Sequence, residues 1–596
     1  MPRLRLVYAA ALAACAGLVL AGPSRADEPK AAVEGVADKA LRQAIVRYIG
    51  TTKKPPLSHG EARRRAEQAA EDAVVVLRSE GYYDYAITPD VTGDDKPLAV
   101  VRIEPGPRFV IADPKLAFAG DAPAPKAQAD AAAAVKLKAG APGRAAEVVA
   151  AEGRVVGALK HDGYADAAPA PREVIVDHAD RTVRPTFNVD AKALVKLDGL
   201  KVETTGRTNS KWVANLAPWR PGDVYAPEPV AELERRLLDT GVYNSVAVAL
   251  SPEPDAQGLR PVVVSLADRR PASVALGASY STSEGAGVNA RLTLYNRLRR
   301  ADTITFSVQY ADILKRVDGE LSLPDWRWPQ WTLRLGWAAY EDNTDAFEER
   351  DAGVHADLEH RLSKTSFATF GVSADYANDN ERILENGLIV RHRRKLELLT
   401  GLARLSLDRS NDPLNPTQGW KLDGRVEPTL GTGDASLLYA KTEGQVSGYL
   451  PFGASASTVL AARAHIGVIL SASATPDILA SRRFYAGGAG SIRGYAYQAV
   501  GPRFPDNSPI GGESLWETSV ELRQKIGARW GAVAFLDAGT VSAQKYPDFK
   551  TYSAGAGVGV RYNLGFAPVR ADIGFPLNRR TGDAPFQIYL SIGQSF

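Results

Sequence analysis

The sequence predicts three α+β repeat domains followed by an all-β, 16-stranded transmembrane barrel. Three observations carry that prediction. One helix–glycine–aromatic pattern recurs three times in the first half, and long alternating strands fill the second. The chain also opens with a secretory segment that no later apolar helix follows. At 596 residues, with 24% charged and 45% hydrophobic, it is too long for one compact domain and is neither disordered nor a helical membrane protein.

The first element is residues 1–26. Arg3 and Arg5 precede an apolar run from Leu6 to Ala21, and Ser24-Arg25-Ala26 puts small residues three and one before a cleavage point. That pattern is a signal peptide cut after Ala26. A membrane anchor is the alternative reading, but the run is alanine-rich and barely reaches the minimum span of ~17 residues. Leu12-Ala13-Ala14-Cys15 resembles a lipoprotein box, which would make Cys15 a lipidation site, although apolar residues continue to Leu20. Cleavage after Ala26 removes the only cysteine and three arginines, leaving 69 basic residues against 69 acidic ones. A neutral chain gives no sign of a nucleic-acid partner.

Next come three similar segments. They read Leu77-Arg78-Ser79-Glu80-Gly81-Tyr82, Leu159-Lys160-His161-Asp162-Gly163-Tyr164 and Leu238-Asp239-Thr240-Gly241-Val242-Tyr243, with glycines 82 and then 78 positions apart. Each follows an amphipathic helical stretch; in the third, Val230, Leu233, Leu237 and Leu238 share one face. A glycine just past such a helix suits a left-handed cap. Extended stretches then follow, Ala99–Glu104, Val183–Asp190 and Pro261–Leu266. The unit is strand, two helices, two strands, over residues 27–106, 107–192 and 193–270. Unrelated α+β domains are the alternative.

From Pro271 to Phe596 helical patterns stop and period-two alternation begins. Val274, Leu276, Ala278 and Tyr280 share one face, as do Ile304, Phe306, Val308 and Tyr310, and Phe586, Ile588, Leu590 and Ile592. Sixteen strands fit the 326 residues of 271–596, roughly 20 each, enough for a ~10-residue crossing and a turn. Alternation is weakest between Ala311 and Pro329. Tight turns fall at 297–301 and 361–364, and long loops are expected at 378–388 and 471–512. An even count with both ends periplasmic puts the long loops outside.

The longest loop carries Gly487-Gly488-Ala489-Gly490-Ser491-Ile492-Arg493-Gly494-Tyr495. By alternation Glu521 shares a face with Ser519 and Arg523, and Asp537 lies opposite Leu536, so both acids face inward. A solvated Arg493 is the bland alternative. A phosphate cradle is disfavoured, since no Lys-Ser/Thr follows. Ile492-Arg493-Gly494-Tyr495, Phe535-Leu536-Asp537-Ala538-Gly539 on strand 13, Asp412-Pro413-Leu414-Asn415-Pro416 between strands 8 and 9, and the terminal Ile592-Gly593-Gln594-Ser595-Phe596 together resemble the BamA/TamA superfamily of POTRA-plus-β-barrel outer-membrane assembly proteins.

The resemblance covers nearly all of the mature chain. It implies that the repeats are periplasmic POTRA domains that bind unfolded clients by strand addition. It implies that the loop folds into the lumen, with Ile492, Arg493, Gly494 and Tyr495 docking on Glu521, Phe535, Asp537 and Gly539. The glycines before Arg493 would let the loop approach the wall closely. It further implies a lateral seam between first and last strands, loosened by Gly593, with Phe596 closing the last strand. Expected partners are outer-membrane lipid, unfolded outer-membrane clients and a periplasm-spanning TamB-like protein; no cofactor is expected. Three repeats favour a TamA-like type over the five-repeat BamA type. They also disfavour the two-repeat, two-partner exporters, whose plug helix residues 27–32 are too short to supply. A passive porin leaves the repeats unexplained. Seven histidines without metal spacing, and no Gly-x-Ser-x-Gly elbow, argue against an enzyme.

Overall fold

A glycine in the left-handed region closes the second helix of every repeat: Gly81, Gly163 and Gly241 have φ of 89°, 99° and 69°. The computed structural model describes residues 28–596 apart from 53, 205, 282–284, 454–456, 472–477, 566–567 and 593–596. The signal-peptide reading with Cys15, and the seam residues Gly593 and Phe596, lie outside the described residues.

In the first repeat α1 (Lys39–Ile49) and α2 (His59–Ser79) pack on a sheet ordered 32–34, 98–104, 86–92. The Asp38 carboxylate accepts the Ala40 and Leu41 N–H groups and starts α1, while Ser58 accepts the Glu61 N–H and starts α2. Leu41, Ile45, Ala66, Ala73 and Leu77 face Val101 and Ile103 in the core. The second repeat sets α3 (Pro125–Ala134) and α4 (Ala145–His161) against a sheet centred on 182–190, with 115–118 parallel and 173–177 antiparallel to it. The third has α5 (Ser210–Ala214), α6 (Pro227–Asp239) and the order 197–204, 260–268, 243–250. On α6 Val230, Leu233 and Leu237 are buried, but Leu238 is half exposed. The last turn carries it off the apolar face, a departure from the four-residue stripe read in the sequence.

The chain forms two compact units. Among the described residues the first contains 28–198, 219–230 and 251–261; the second contains 199–218, 231–250 and 262–592. Within the second, third-repeat residues are fastened to turns of the barrel. Arg236 Nη2 meets Asp325 Oδ1 at 2.6 Å with both side chains buried, and Arg361 Nη1 meets Asp239 Oδ2 at 2.8 Å. Asn296 donates to Thr208 Oγ1 at 2.8 Å.

The barrel strands are β1 (Ala272–Ser281), β2 (Gly285–Tyr295), β3 (Thr303–Ala311), β4 (Leu314–Leu323), β5 (Trp331–Asn343), β6 (Phe347–Arg361), β7 (Phe367–Glu385), β8 (Leu388–Asp408), β9 (Gly419–Gly433), β10 (Leu437–Phe452), β11 (Thr458–Ser471), β12 (Ser514–Ile526), β13 (Trp530–Ser542), β14 (Ser553–Asn563), β15 (Pro568–Pro576) and β16 (Gln587–Ile592). Each pairs antiparallel with the next in a 16-stranded sheet, and β1 lies beside β16, so the sheet closes on itself. Among the described residues the hydrogen-bonded order begins at β1 and ends at β16, with no ladder joining them. One strand face is apolar and exposed, as at Leu276, Val308, Val354, Phe370, Leu399, Leu522 and Ile588. The other is polar and buried, as at Glu517, Ser519, Arg523 and Asp572. That division is the one a membrane barrel requires. No helix among the described residues is long and apolar enough to cross a membrane.

The stretch of weakest alternation after Ala311 holds a regular strand, β4, as the count of sixteen requires. One strand reading changes. Residues 378–388 are not a loop: β7 and β8 run on as a ribbon closed by Asn386-Gly387, both with positive φ (50° and 81°). Such a dipeptide matches the twist of a two-residue hairpin, so paired strand replaces open loop.

Candidate functional site

Residues 478–513, between β11 and β12, fold inward as a structured strap. Phe484 bridges Gly512 and Ala486 bridges Val500. Ile478, Leu479, Phe484, Ile492, Tyr495 and Val500 form one buried cluster with Leu396, Leu437, Ile469, Leu515 and Val541 of the wall. Apolar burial therefore brings the strap into the lumen, and polar contacts fix its register.

Arg493 is the centre of those contacts and is 1% exposed. Its Nε donates to Asp537 Oδ2 at 2.7 Å and its Nη2 to Oδ1 at 2.9 Å, a bidentate fork, while its backbone N–H reaches Oδ2 at 3.0 Å. Its Nη1 donates to Glu521 Oε1 at 2.6 Å and to Asp572 Oδ2 at 3.3 Å. The Phe535 ring lies 3.5 Å from the guanidinium carbon. Register explains the convergence: Ser519 pairs with Asp537 and Glu521 with Phe535 across β12 and β13, all on the inward face. Buried charges are tolerable only when answered. Here Arg523 Nε donates to Glu521 Oε2 at 2.8 Å and Arg561 pairs with Asp572, so three carboxylates meet three guanidinia.

The neighbours of Arg493 are held as closely. Gly494 has φ of 101° and donates its N–H to the Tyr589 hydroxyl at 2.9 Å, which in turn donates to the Tyr495 carbonyl at 2.7 Å. The Tyr495 hydroxyl meets Asn578 Oδ1 at 2.6 Å. Ile492 sits against Gly539, where an added Cβ would come 3.0 Å from its Cδ1. Close approach does not depend mainly on the glycines before Arg493. It depends on wall glycines: a Cβ at Gly555 would lie 1.8 Å from the Arg493 carbonyl oxygen, and one at Gly574 would lie 2.7 Å from the Gly494 nitrogen. The structure thus brings Ile492, Arg493, Gly494, Tyr495, Glu521, Phe535, Asp537 and Gly539 together.

Sequence reasoning missed Asp572, Arg561, Tyr589 and the two wall glycines. Alternation on β14 to β16 marks their inward face, but nothing local marks their distance from the strap. It also missed a second anchor. Arg482 Nη2 lies 2.9 Å from Glu349 Oε1 and 2.7 Å from Asp351 Oδ2, both on β6. Ser481 N donates to Asp379 Oδ2 at 3.2 Å, and Ala480 N to Glu381 Oε2 at 3.1 Å. Arg483 reaches Glu381 at 3.3 Å, and Arg394 of β8 pairs with the same carboxylate.

A profile of the Omp85 superfamily domain matches residues 296–596. The chain belongs to the Omp85 superfamily. It is similar to the bovine (Bos taurus) sorting and assembly machinery component 50 homolog, 23% identical over 425 residues, covering 66% of this chain and 81% of that protein. The crystal structure of BamA from Haemophilus ducreyi lacking POTRA domains 1–3 has the same fold, with a TM-score of 0.68 at 18% identity over 81% of this chain and 99% of that one. CdiB from Acinetobacter baumannii is also similar, with a TM-score of 0.48 and 13% identity over 91% of this chain and 99% of that one. Omp85 membership places the barrel, the strap and the first-to-last strand junction within a family of outer-membrane barrels.

Proposed function

We propose that this protein assembles or translocates β-strand clients at the outer membrane, templating them on the edge of β1 where β1 and β16 meet. The observation that carries the reading is the end-to-end order of the 16-stranded sheet. Among the described residues its first and last strands lie side by side without a ladder. An unsatisfied strand edge presents N–H and C=O groups in register, and a client strand can add to it. The Arg493 cluster supports this by stiffening β12–β15, so that opening falls at the junction rather than elsewhere. The three βααββ units act as periplasmic POTRA domains whose open sheet edges receive unfolded clients and a TamB-like partner. Client folding supplies the driving force, and no catalytic step is involved.

The test uses cysteine pairs, one on β1 and one on β16. Oxidation should stop client assembly and reduction should restore it, with the barrel intact throughout. Assembly at the wild-type rate with the junction locked would remove the mechanism. Loss of a single secreted protein on locking would identify a dedicated exporter instead.

A further inference from the structure

The outward face of β4–β8 changes character near the rim from which the strap enters. Lys315, Glu341, Arg350, Asn378 and Lys395 are cross-strand partners in succession, so they share one face and one level. That face is the membrane-facing one, since Val317, Val354, Tyr376 and Leu399 follow at even steps along the same strands and are exposed. Arg391 and Arg393 continue the column above Lys395 on β8. Glu341 is shared between Lys315 at 3.1 Å and Arg350 at 3.2 Å, and Glu348 holds Arg391 at 2.6 Å. Arg393 and Lys395 are exposed and have no carboxylate partner among the described residues. On the same face Glu397 lies two residues below Lys395, and the Asp434 carboxylate takes the Lys395 backbone N–H.

Below this column lies a shallow recess of about 680 Å³, walled by Trp337, Tyr376 and Leu399, floored by Ala339 and Ala352, and bordered on β8 by the Glu397 carboxylate. Alanines among larger apolar neighbours leave the depression on this face. Cations just above an apolar band stand where lipid phosphates lie. From Lys395 to Arg391 the column rises four residues, about 14 Å at strand spacing. That is tall for one phosphodiester and suits a sugar headgroup phosphorylated at both ends.

We propose that this face binds a phosphorylated glycolipid, one acyl chain against the recess and the headgroup phosphates on Lys395 and Arg391, with Arg393 between them. The proposal rests on the membrane reading of the barrel and not on client assembly. The probes are a diglucosamine glycolipid phosphorylated at both ends, phosphatidylglycerol and phosphatidylethanolamine. Each is offered to the full-length protein in detergent and its retention is followed by native mass spectrometry. The wild type should keep the glycolipid in preference to both phospholipids. R393Q/K395Q should weaken that retention about thirtyfold, at about fivefold per cation near a membrane surface. Ala352→Trp, which fills the recess and leaves every charge, should also weaken it. Undiminished retention in R393Q/K395Q, or equal retention of phosphatidylglycerol by the wild type, would overturn the proposal. Client assembly, read separately, tests the junction whichever way the lipid result falls.

Discussion

Two walls of the barrel hold the same strap with the same chemistry, yet not equally. On the β12–β15 wall Arg493 is 1% exposed, its carboxylates are 0% exposed, and each acid has a second donor. On the β6–β8 wall the Arg482 side chain is 23% exposed, although Glu349 and Asp351 are only 3% exposed. Water reaching Arg482 screens its pairs, whereas nothing screens Arg493. The number of ion pairs therefore says little about which end is firm; burial and multiplicity decide it. The most deeply buried single anchor of the strap sits on the wall leading to β16.

The comparison breaks most visibly at its strongest point. Arg493→Ala leaves Glu521, Asp537 and Asp572 buried without their shared partner and should cost about 3–5 kcal/mol, read as a lower unfolding midpoint of the purified barrel. Gly555→Ala drives a methyl into the Arg493 carbonyl and should cost about 3 kcal/mol, the upper part of the overpacking range. Hydrogen exchange at 488–496 should rise in that variant while exchange at 478–483 holds. Arg482→Ala, at the screened end, should cost about 2 kcal/mol. Its signature is a leak of small solutes along β5–β8 with the 488–496 amides still protected; protection lost along the whole strap would mean one latch rather than two. Tyr589→Phe removes a single hydroxyl between Gly494 and Tyr495 and should cost about 1 kcal/mol, visible as faster exchange of the Gly494 amide.

The same contrast explains what the sequence reveals. Glu521 and Asp537 are legible as inward acids because two adjacent strands, β12 and β13, carry both alternation and motif. Asp572 and Tyr589 belong to β15 and β16, whose distance from Arg493 depends on how the barrel closes, a property no single strand encodes. Arg482 and Arg483 sit outside any recognisable motif, and their partners Glu349, Asp351 and Glu381 are distant in sequence. The β7–β8 ribbon reads as a loop because Asn378, Asp379, Asn380, Glu381 and Arg382 look like solvated turn residues, when they lie on a paired strand. The helix ends at Gly81, Gly163 and Gly241 are legible, since helix, glycine cap and aromatic are local signals. The junction of the third repeat with the barrel, as at Arg236 and Asp325, is not.

The central claim, an assembly factor that works through the Arg493 anchor, is tested most directly by a quantitative outer-membrane proteome. Three strains are compared, one wild type, one lacking the gene and one carrying Arg493→Ala, with the barrel's own abundance measured in each. The account predicts that a subset of β-barrel or autotransporter-type proteins falls in the deletion, and that the point variant reproduces the loss while its barrel remains in the membrane. An unchanged proteome in the deletion, or a fully active Arg493→Ala barrel, would contradict it.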